Sequence, residues 1–367
     1  MALKVLIVPD KFKGTLTASK AAEAIAEGWR QVRGSDALEL LPMSDGGDGF
    51  GEVMSSLMDA VPRKVKTIDA AHRPCESVWW WHSESKTAIV ESARVIGLAL
   101  LPPGKYHPFE LDTEGLAAVI EAALADGAQH CLIGIGGSAT NDAGFGVARG
   151  LGWQFFGLHD EKVVRWTELR DLALIKPRPA GRWFQEVSVA VDVQNPLLGP
   201  QGCTRVYGPQ KGLRPQEFEF AENCIGQLAE VIDKQLHFSF SNEPGGGAAG
   251  GLGYGLRCFA SAKLQPGFAL FARHARLEER LKSVDLVITG EGAIDQSTAM
   301  GKGVGQIAEM AKQNGIPCLG LAGAAGKQAD AFKRVHAIAP ELTSAEDAMA
   351  RPDHWLTALA AKVAREW

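Results

Sequence analysis

The sequence has no C-x-x-C pair and no zinc-like histidine spacing: Cys75, Cys131, Cys203, Cys224, Cys258 and Cys318 stand far apart along 367 residues. A disulfide framework and a structural zinc site are thereby excluded, and the thiols are expected to be buried and inert. A basic excess is missing too. With 38 Lys and Arg against 43 Asp and Glu, the formal charge of −5 offers no matching field to nucleic acid or an anionic membrane. No apolar run approaches the roughly 18 residues of a membrane-spanning helix, and the opening run ends at Asp10, short of a signal-peptide core. The expected location is the cytoplasm, with neither nucleic acid nor membrane as partner.

Several site signatures are absent as well. There is no G-x-S-x-G, and the histidines lie outside the glycine-rich loops, which removes the usual serine triads. Gly301-Lys302 lacks the leading glycine and the following Ser or Thr of a P-loop, so any use of ATP proceeds without that motif. Gly134 to Ala139 fits G-x-G-x-x-A, but Gly152 to Phe156, where a dinucleotide site places its acid, contains none. Gly245 to Gly250 fits the related G-x-G-x-x-G with no good strand before it.

What is abundant is glycine, with 42 residues in clusters, on a background of 46% hydrophobic and 22% charged residues that suits a folded globular chain. Leu3 to Pro9 reads as a strand, and Ala21, Ala22, Ile25, Trp29 and Val32 follow at helical spacing. The unit recurs at Ala37 to Leu41, His130 to Ile135, Val284 to Thr289 and Cys318 to Ala322, with a last helix from Pro352. Repeated strand-helix units predict a mainly parallel sheet. Val65 to Ile68, Ser77 to His82 and Thr87 to Glu91 read instead as a meander of short strands. The expected fold is α/β with two domains. A discontinuous Rossmann-like domain takes 1–64 and 262–367, and a mixed α/β domain, 65–261, is inserted in it, with ligands in the cleft between them. The segment 112–150, itself helix-strand-helix, could join the first sheet instead.

Acids fall at the ends of these apolar runs: Asp10, Asp45, Asp142, Asp192, Glu291 and Asp295. Lys11, Lys13, Lys211 and Lys302 accompany them, several beside glycine. Any one acid could cap a helix. Together, carboxylates, lysines and glycine loops at strand ends describe a metal-phosphate site, because phosphoryl transfer needs positive charge on the phosphate oxygens and an acid to orient the attacking hydroxyl.

Pro9 to Leu16 reads PDKFKGTL, Met43 to Gly49 MSDGGDG, Gly134 to Asp142 GIGGSATND and Asp192 to Gly199 DVQNPLLG. Gly208 to Gly212 reads GPQKG, Pro244 to Gly253 PGGGAAGGLG, and Gly290 to Asp295 GEGAID, with Gly301 and Lys302 beyond. This ordered set resembles the type I glycerate kinases, whose forms are PDSFKGSL, MADGGEG, GIGGSATND, DVTNPLLG, GPQKG, PGAGAAGGLG and GEGRxDxQTxxGK. The resemblance covers essentially the whole chain and implies two α/β domains with ATP, Mg²⁺ and D-glycerate as ligands. The implied reaction makes 2-phosphoglycerate, or 3-phosphoglycerate if the other hydroxyl is used. A kinase for a related hydroxy or sugar acid, or a non-catalytic ligand-binding homologue, are the alternatives.

Residue type and position then suggest roles. Asp192, at the end of an apolar run, is the candidate base, with Lys13 as its catalytic companion. Asp45, Glu291 and Asp295 are candidates for Mg²⁺ or its support. Lys13 and Lys302 would neutralise phosphate or substrate carboxylate, and Gly136, Gly137 and Ser138 would offer backbone N–H groups to an anion. Asp10, Lys11, Asn141, Asn195 and Lys211 complete the expected substrate- or phosphate-binding set. Departures from the family forms fall at Lys11 for Ser, Phe50 for Thr, Ala293 for Arg, and over 68–73 and 112–119. Lys11 and Arg73 are the expected replacements for carboxylate-binding groups missing elsewhere.

Overall fold

The computed structural model describes residues 2–295, 298, 303–326 and 330–367. The chain divides into two compact units, Met1–Asp45 with Phe268–Trp367, and Gly46–Gly267.

In the first unit five strands form one parallel sheet in the order Arg334–Ala339, Cys318–Ala325, Leu286–Ile294, Lys4–Pro9, Ala37–Leu40. A parallel sheet covered on both faces needs apolar side chains on both sides of its strands, and Val5, Leu6, Ile7 and Val8 are all fully buried. Helix Ala18–Val32 begins at Thr17, whose side chain accepts from the Lys20 amide, and it buries Ala21, Ala22, Ile25 and Trp29. A Cβ at Gly28 would stand 2.1 Å from the carbonyl oxygen of Thr357 in helix Pro352–Glu366, so only glycine lets these helices pack as closely as they do.

The strand order also locates a seam. From Lys4–Pro9 the chain moves to Ala37–Leu40 on one side, whereas Leu286–Ile294 leads to Cys318–Ala325 and Arg334–Ala339 on the other. The winding therefore reverses between Lys4–Pro9 and Leu286–Ile294. In open α/β sheets, ligands bind beyond the carboxyl ends of the strands at such a reversal.

The second unit holds a mixed six-stranded sheet in the order Lys263–Pro266, Glu186–Val191, His130–Gly134, Thr87–Glu91, Pro74–His82, Val61–Ile68. The first four strands run parallel and the last two pair antiparallel. Val90, Ile133 and Val189 from neighbouring strands pack with Leu116, Val119 and Leu252 from helices Gly115–Ala125 and Ala248–Phe259. Another apolar cluster gathers Phe145, Phe155, Trp166, Ile225, Leu228 and Tyr254 around helix Phe218–Leu236.

The architecture is the α/β one expected, a parallel-sheet unit with a mixed α/β unit inserted in its sequence. The compact units divide at 45/46 and 267/268. Residues 46–64 go with the second unit because Val61–Ile68 pairs with Pro74–His82, from Val61↔Trp81 to Ile68↔Pro74, and Phe50 packs on Gly134. Lys263–Pro266 goes with it because that strand pairs with Glu186–Val191. The segment 112–150 lies there too, since His130–Gly134 sits between Thr87–Glu91 and Glu186–Val191. All six cysteines are free thiols, and only Cys75 is not buried. Among the described residues no helix is long and apolar enough to cross a membrane.

Candidate functional site

Asp10 follows directly on Lys4–Pro9, at the reversal of the first sheet, and its amide donates to the carbonyl of Gly290 at 2.8 Å. Its side chain is 12% exposed. One carboxylate oxygen accepts from the Lys11 amide at 2.7 Å, with the Lys11 ammonium 3.9 Å away. Burial pushes Asp10 up to about 7; Lys11 opposes the rise, while the charges of Asp45 and Glu291 add to it. These acids therefore sense one another across adjacent strand ends. Asp45 brings a buried Oδ1 atom that has no hydrogen-bond partner among the described residues. Glu291 lies in the neighbouring strand and accepts from the hydroxyl of Thr298 at 2.7 Å. Thr298 is fully buried, and its hydroxyl also accepts from the Asp295 amide at 3.2 Å, so one threonine orders both acids.

Lys13 is exposed, in the turn where the Phe12 amide donates to Leu16, and its amide nitrogen lies 3.4 Å from where a Cβ at Gly292 would be. The first unit thus brings together Asp10, Lys11, Lys13, Asp45, Glu291 and Asp295. Gly301 and Lys302 lie outside the described residues.

The remaining candidates belong to the second unit. Asp192 is exposed immediately after strand Glu186–Val191. Its charge reaches Tyr207, whose hydroxyl is pushed up to about 12 chiefly by burial and also by Asp192 and Cys203. The Tyr207 hydroxyl donates to Oδ1 of Asn195 at 2.6 Å, and Nδ2 of Asn195 donates to the Gln201 carbonyl at 2.8 Å. Both ends of the Asn195 amide thus fasten its own loop, each with one hydrogen-bonding position still open.

In the GIGGSATND loop the N–H of Gly136 donates to the Gly46 carbonyl at 3.1 Å. A Cβ at Gly137 would lie 2.1 Å from Oδ1 of Asp48, so a carboxylate already stands beside that glycine and disfavours a second negative group there. Ser138 turns its hydroxyl inward to Thr140, at 2.8 Å from the Thr140 hydroxyl and 3.1 Å from its amide. Lys211 is buried and donates to the Thr140 carbonyl at 2.6 Å; burial holds its ammonium down at about 8. Asp142 is fully buried and accepts from the amides of Thr113, Gly144 and Gly146 and from the Thr113 hydroxyl. Burial and the nearby Asp112 push it up to about 6, against those donors.

Glycine in PGGGAAGGLG answers to packing. Gly250 has φ +72°, and a Cβ there would lie 1.9 Å from the Thr140 carbonyl oxygen and 2.8 Å from the Lys211 ammonium. Gly250→Ala is therefore expected to destabilise the protein by at least about 2 kcal/mol, from left-handed strain plus overpacking, in urea unfolding at neutral pH. A midpoint equal to that of the unsubstituted protein would contradict this packing account.

Two departures from the family forms make contacts within the second unit. Phe50 is fully buried, and its ring comes within 2.6 Å of where a Cβ at Gly134 would be. Arg73, expected as a carboxylate binder, is committed to Asp69 at 2.6 Å and to the Leu100 carbonyl at 3.1 Å. Among the described residues, one group offers metal-type ligands within 4.8 Å of one another, His72, Asp112 and Glu114. There Arg149 already pairs with Glu114 and approaches Asp112 at 3.8 Å, so the guanidinium supplies the countercharge.

Sequence reasoning passed over Thr298 and Asp48. Thr298 matches the threonine of the family form GEGRxDxQTxxGK, and Asp48 stands in MSDGGDG beside the chosen Asp45; both signals were legible.

Comparison with known proteins matches residues 5–367 to the glycerate kinase family. The glycerate kinase of Halalkalibacterium halodurans is 36% identical over 98% of this chain and 97% of its own. The glycerate 2-kinase of Escherichia coli K12 is 35% identical over 88% of this chain and 85% of its own. A crystal structure assigned to glycerate kinase 2 of Salmonella typhimurium LT2 superposes with a TM-score of 0.84 at 32% identity, covering 100% of this chain and 98% of that one.

Proposed function

The chain belongs to the glycerate kinase family, and from that premise we propose that it transfers the terminal phosphoryl group of ATP to the 2-hydroxyl of D-glycerate, giving 2-phosphoglycerate and ADP. The observation that carries the reading is the gathering of Asp10, Asp45 and Glu291 at the reversal of the parallel sheet, with Asp10 lifted to about 7 by burial and by its acidic neighbours. Such a group calls for a cation. Mg²⁺ fits, because the buried Oδ1 of Asp45 has no partner among the described residues. Mg²⁺ binds through one or two carboxylates and takes its remaining ligands from phosphate and water. When bound, it would neutralise charge on the phosphate oxygens.

Asp45, Glu291 and Asp295 are the residues that would hold the ion, with Thr298 fixing the orientation of Glu291. Lys13, exposed beside Gly292, would stabilise the negative charge of the transferred phosphoryl group, and Lys302 is assigned the same task. Asp192 would accept the hydroxyl proton of glycerate as that oxygen attacks phosphorus. A coupled ADP-release assay over a panel of small hydroxy acids tests the reading, with D-glycerate expected to give the fastest release. Phosphorus NMR of the product decides the position: coupling to one proton marks the 2-phosphate and coupling to two marks the 3-phosphate. Thermal stabilisation by glycerate with no ADP release from any acid would favour a non-catalytic homologue.

A further inference from the structure

The loop from Ser138 to Asp142 has nearly all its polar side-chain atoms tied down. Ser138 and Thr140 bond each other, Lys211 holds the Thr140 carbonyl, Asp142 gathers its donors from Thr113, Gly144 and Gly146, and Nδ2 of Asn141 donates to the Thr204 hydroxyl at 3.1 Å. Asn141 is 0% exposed, yet its Oδ1 atom has no hydrogen-bond partner among the described residues. A buried amide oxygen left unpaired is costly, and a chain that braces the surrounding loop from four sides holds that oxygen in one place. An amide oxygen can only accept. At neutral pH a carboxylate offers it no proton and a phosphate group few, whereas a hydroxyl always carries one.

We propose that Oδ1 of Asn141 accepts a hydrogen bond from a hydroxyl of the acid substrate, making Asn141 a specificity-determining residue for a hydroxylated acid and not an anion ligand. The proposal rests on the glycerate kinase reading and adds to it which substrate group this loop recognises. A pocket that hydrogen-bonds a substrate hydroxyl rejects the analogue lacking it, because the buried partner is then left unpaired.

The test uses the full-length protein and its Asn141→Ala and Asn141→Asp variants, with D-glycerate, D-lactate, which lacks the 3-hydroxyl, and 3-hydroxypropionate, which lacks the 2-hydroxyl. ADP release gives KM, and competition against glycerate gives the affinity of an analogue that is not phosphorylated. Asn141→Ala is expected to raise the glycerate KM about ten- to a hundredfold, to leave the ATP KM within about twofold, and to abolish the preference for glycerate over one of the two analogues. The analogue whose handicap disappears identifies the hydroxyl. Asn141→Asp keeps an oxygen acceptor in the same shape and should retain most of the glycerate affinity and preference, which keeps the test open if the alanine variant folds poorly. An unchanged glycerate KM in Asn141→Ala, or both preferences intact, overturns the proposal. If the unsubstituted protein releases no ADP with any hydroxy acid, the kinase reading itself has failed; turnover in that protein with an unaltered alanine variant sinks the Asn141 assignment alone.

Discussion

Asp192→Asn is expected to lower kcat with D-glycerate by at least about a hundredfold while leaving the KM of both substrates within about twofold. Asp192 follows strand Glu186–Val191, which is hydrogen-bonded on both sides, to His130–Gly134 and to Lys263–Pro266, so its backbone is fixed by the sheet. The residue is exposed. Asparagine keeps the size and the hydrogen-bonding oxygen of aspartate but cannot take up the hydroxyl proton. A hundredfold fall corresponds to about 2.7 kcal/mol of transition-state stabilisation. Turnover near that of the unsubstituted protein, at an unchanged melting temperature, would remove Asp192 from the role.

The parts of this molecule that were legible in the sequence are those decided by local pattern. Lys4–Pro9 and Leu286–Ile294 are central parallel strands buried on both faces, so they read as continuous apolar runs, and the acids that end them stood out for that reason. Val61–Ile68 is harder to read because it pairs on one side only. An edge strand exposes Arg63, Lys64 and Lys66, and its first half looks like a polar connection. The candidate site divides in the same way. That Asp10, Asp45 and Glu291 lie near strand ends follows from position alone, but no sequence pattern reveals that the Gly46 carbonyl accepts from the N–H of Gly136 or that Tyr207 and Gln201 bond the amide of Asn195. Those are contacts between segments distant in sequence. Gly250 and its neighbours show the converse difficulty, because glycine demanded by close packing and glycine demanded by a ligand have the same spelling.

Asp10→Asn is expected to stabilise the metal-free protein at pH 8 by about 2–4 kcal/mol and to change little near pH 4. In the unfolded chain this carboxyl titrates at its ordinary value of 3.8, whereas in the folded protein burial, together with Asp45 and Glu291, lifts it to about 7. Below about pH 4 both states hold the proton, and the aspartate costs nothing. Between about 4 and about 7 the unfolded chain has released its proton while the folded chain keeps it, so stability falls as pH rises. Above about 7 both states are ionised and the deficit is constant. Each pH unit separating the two titrations is worth about 1.4 kcal/mol, which sets the upper figure; the lower one allows for the favourable charge contact with Lys11 that asparagine gives up. Urea unfolding of both proteins in chelator at pH 4.5 and pH 8 measures the difference. Mg²⁺ added at pH 8 should then raise the stability of the unsubstituted protein more than that of the variant, since a cation relieves repulsion that the variant has already lost. A difference that is the same at both pH values, or absent at pH 8, would show that Asp10 is not held up by burial and its acidic neighbours, and would take from the first unit the physical reason for placing a cation there.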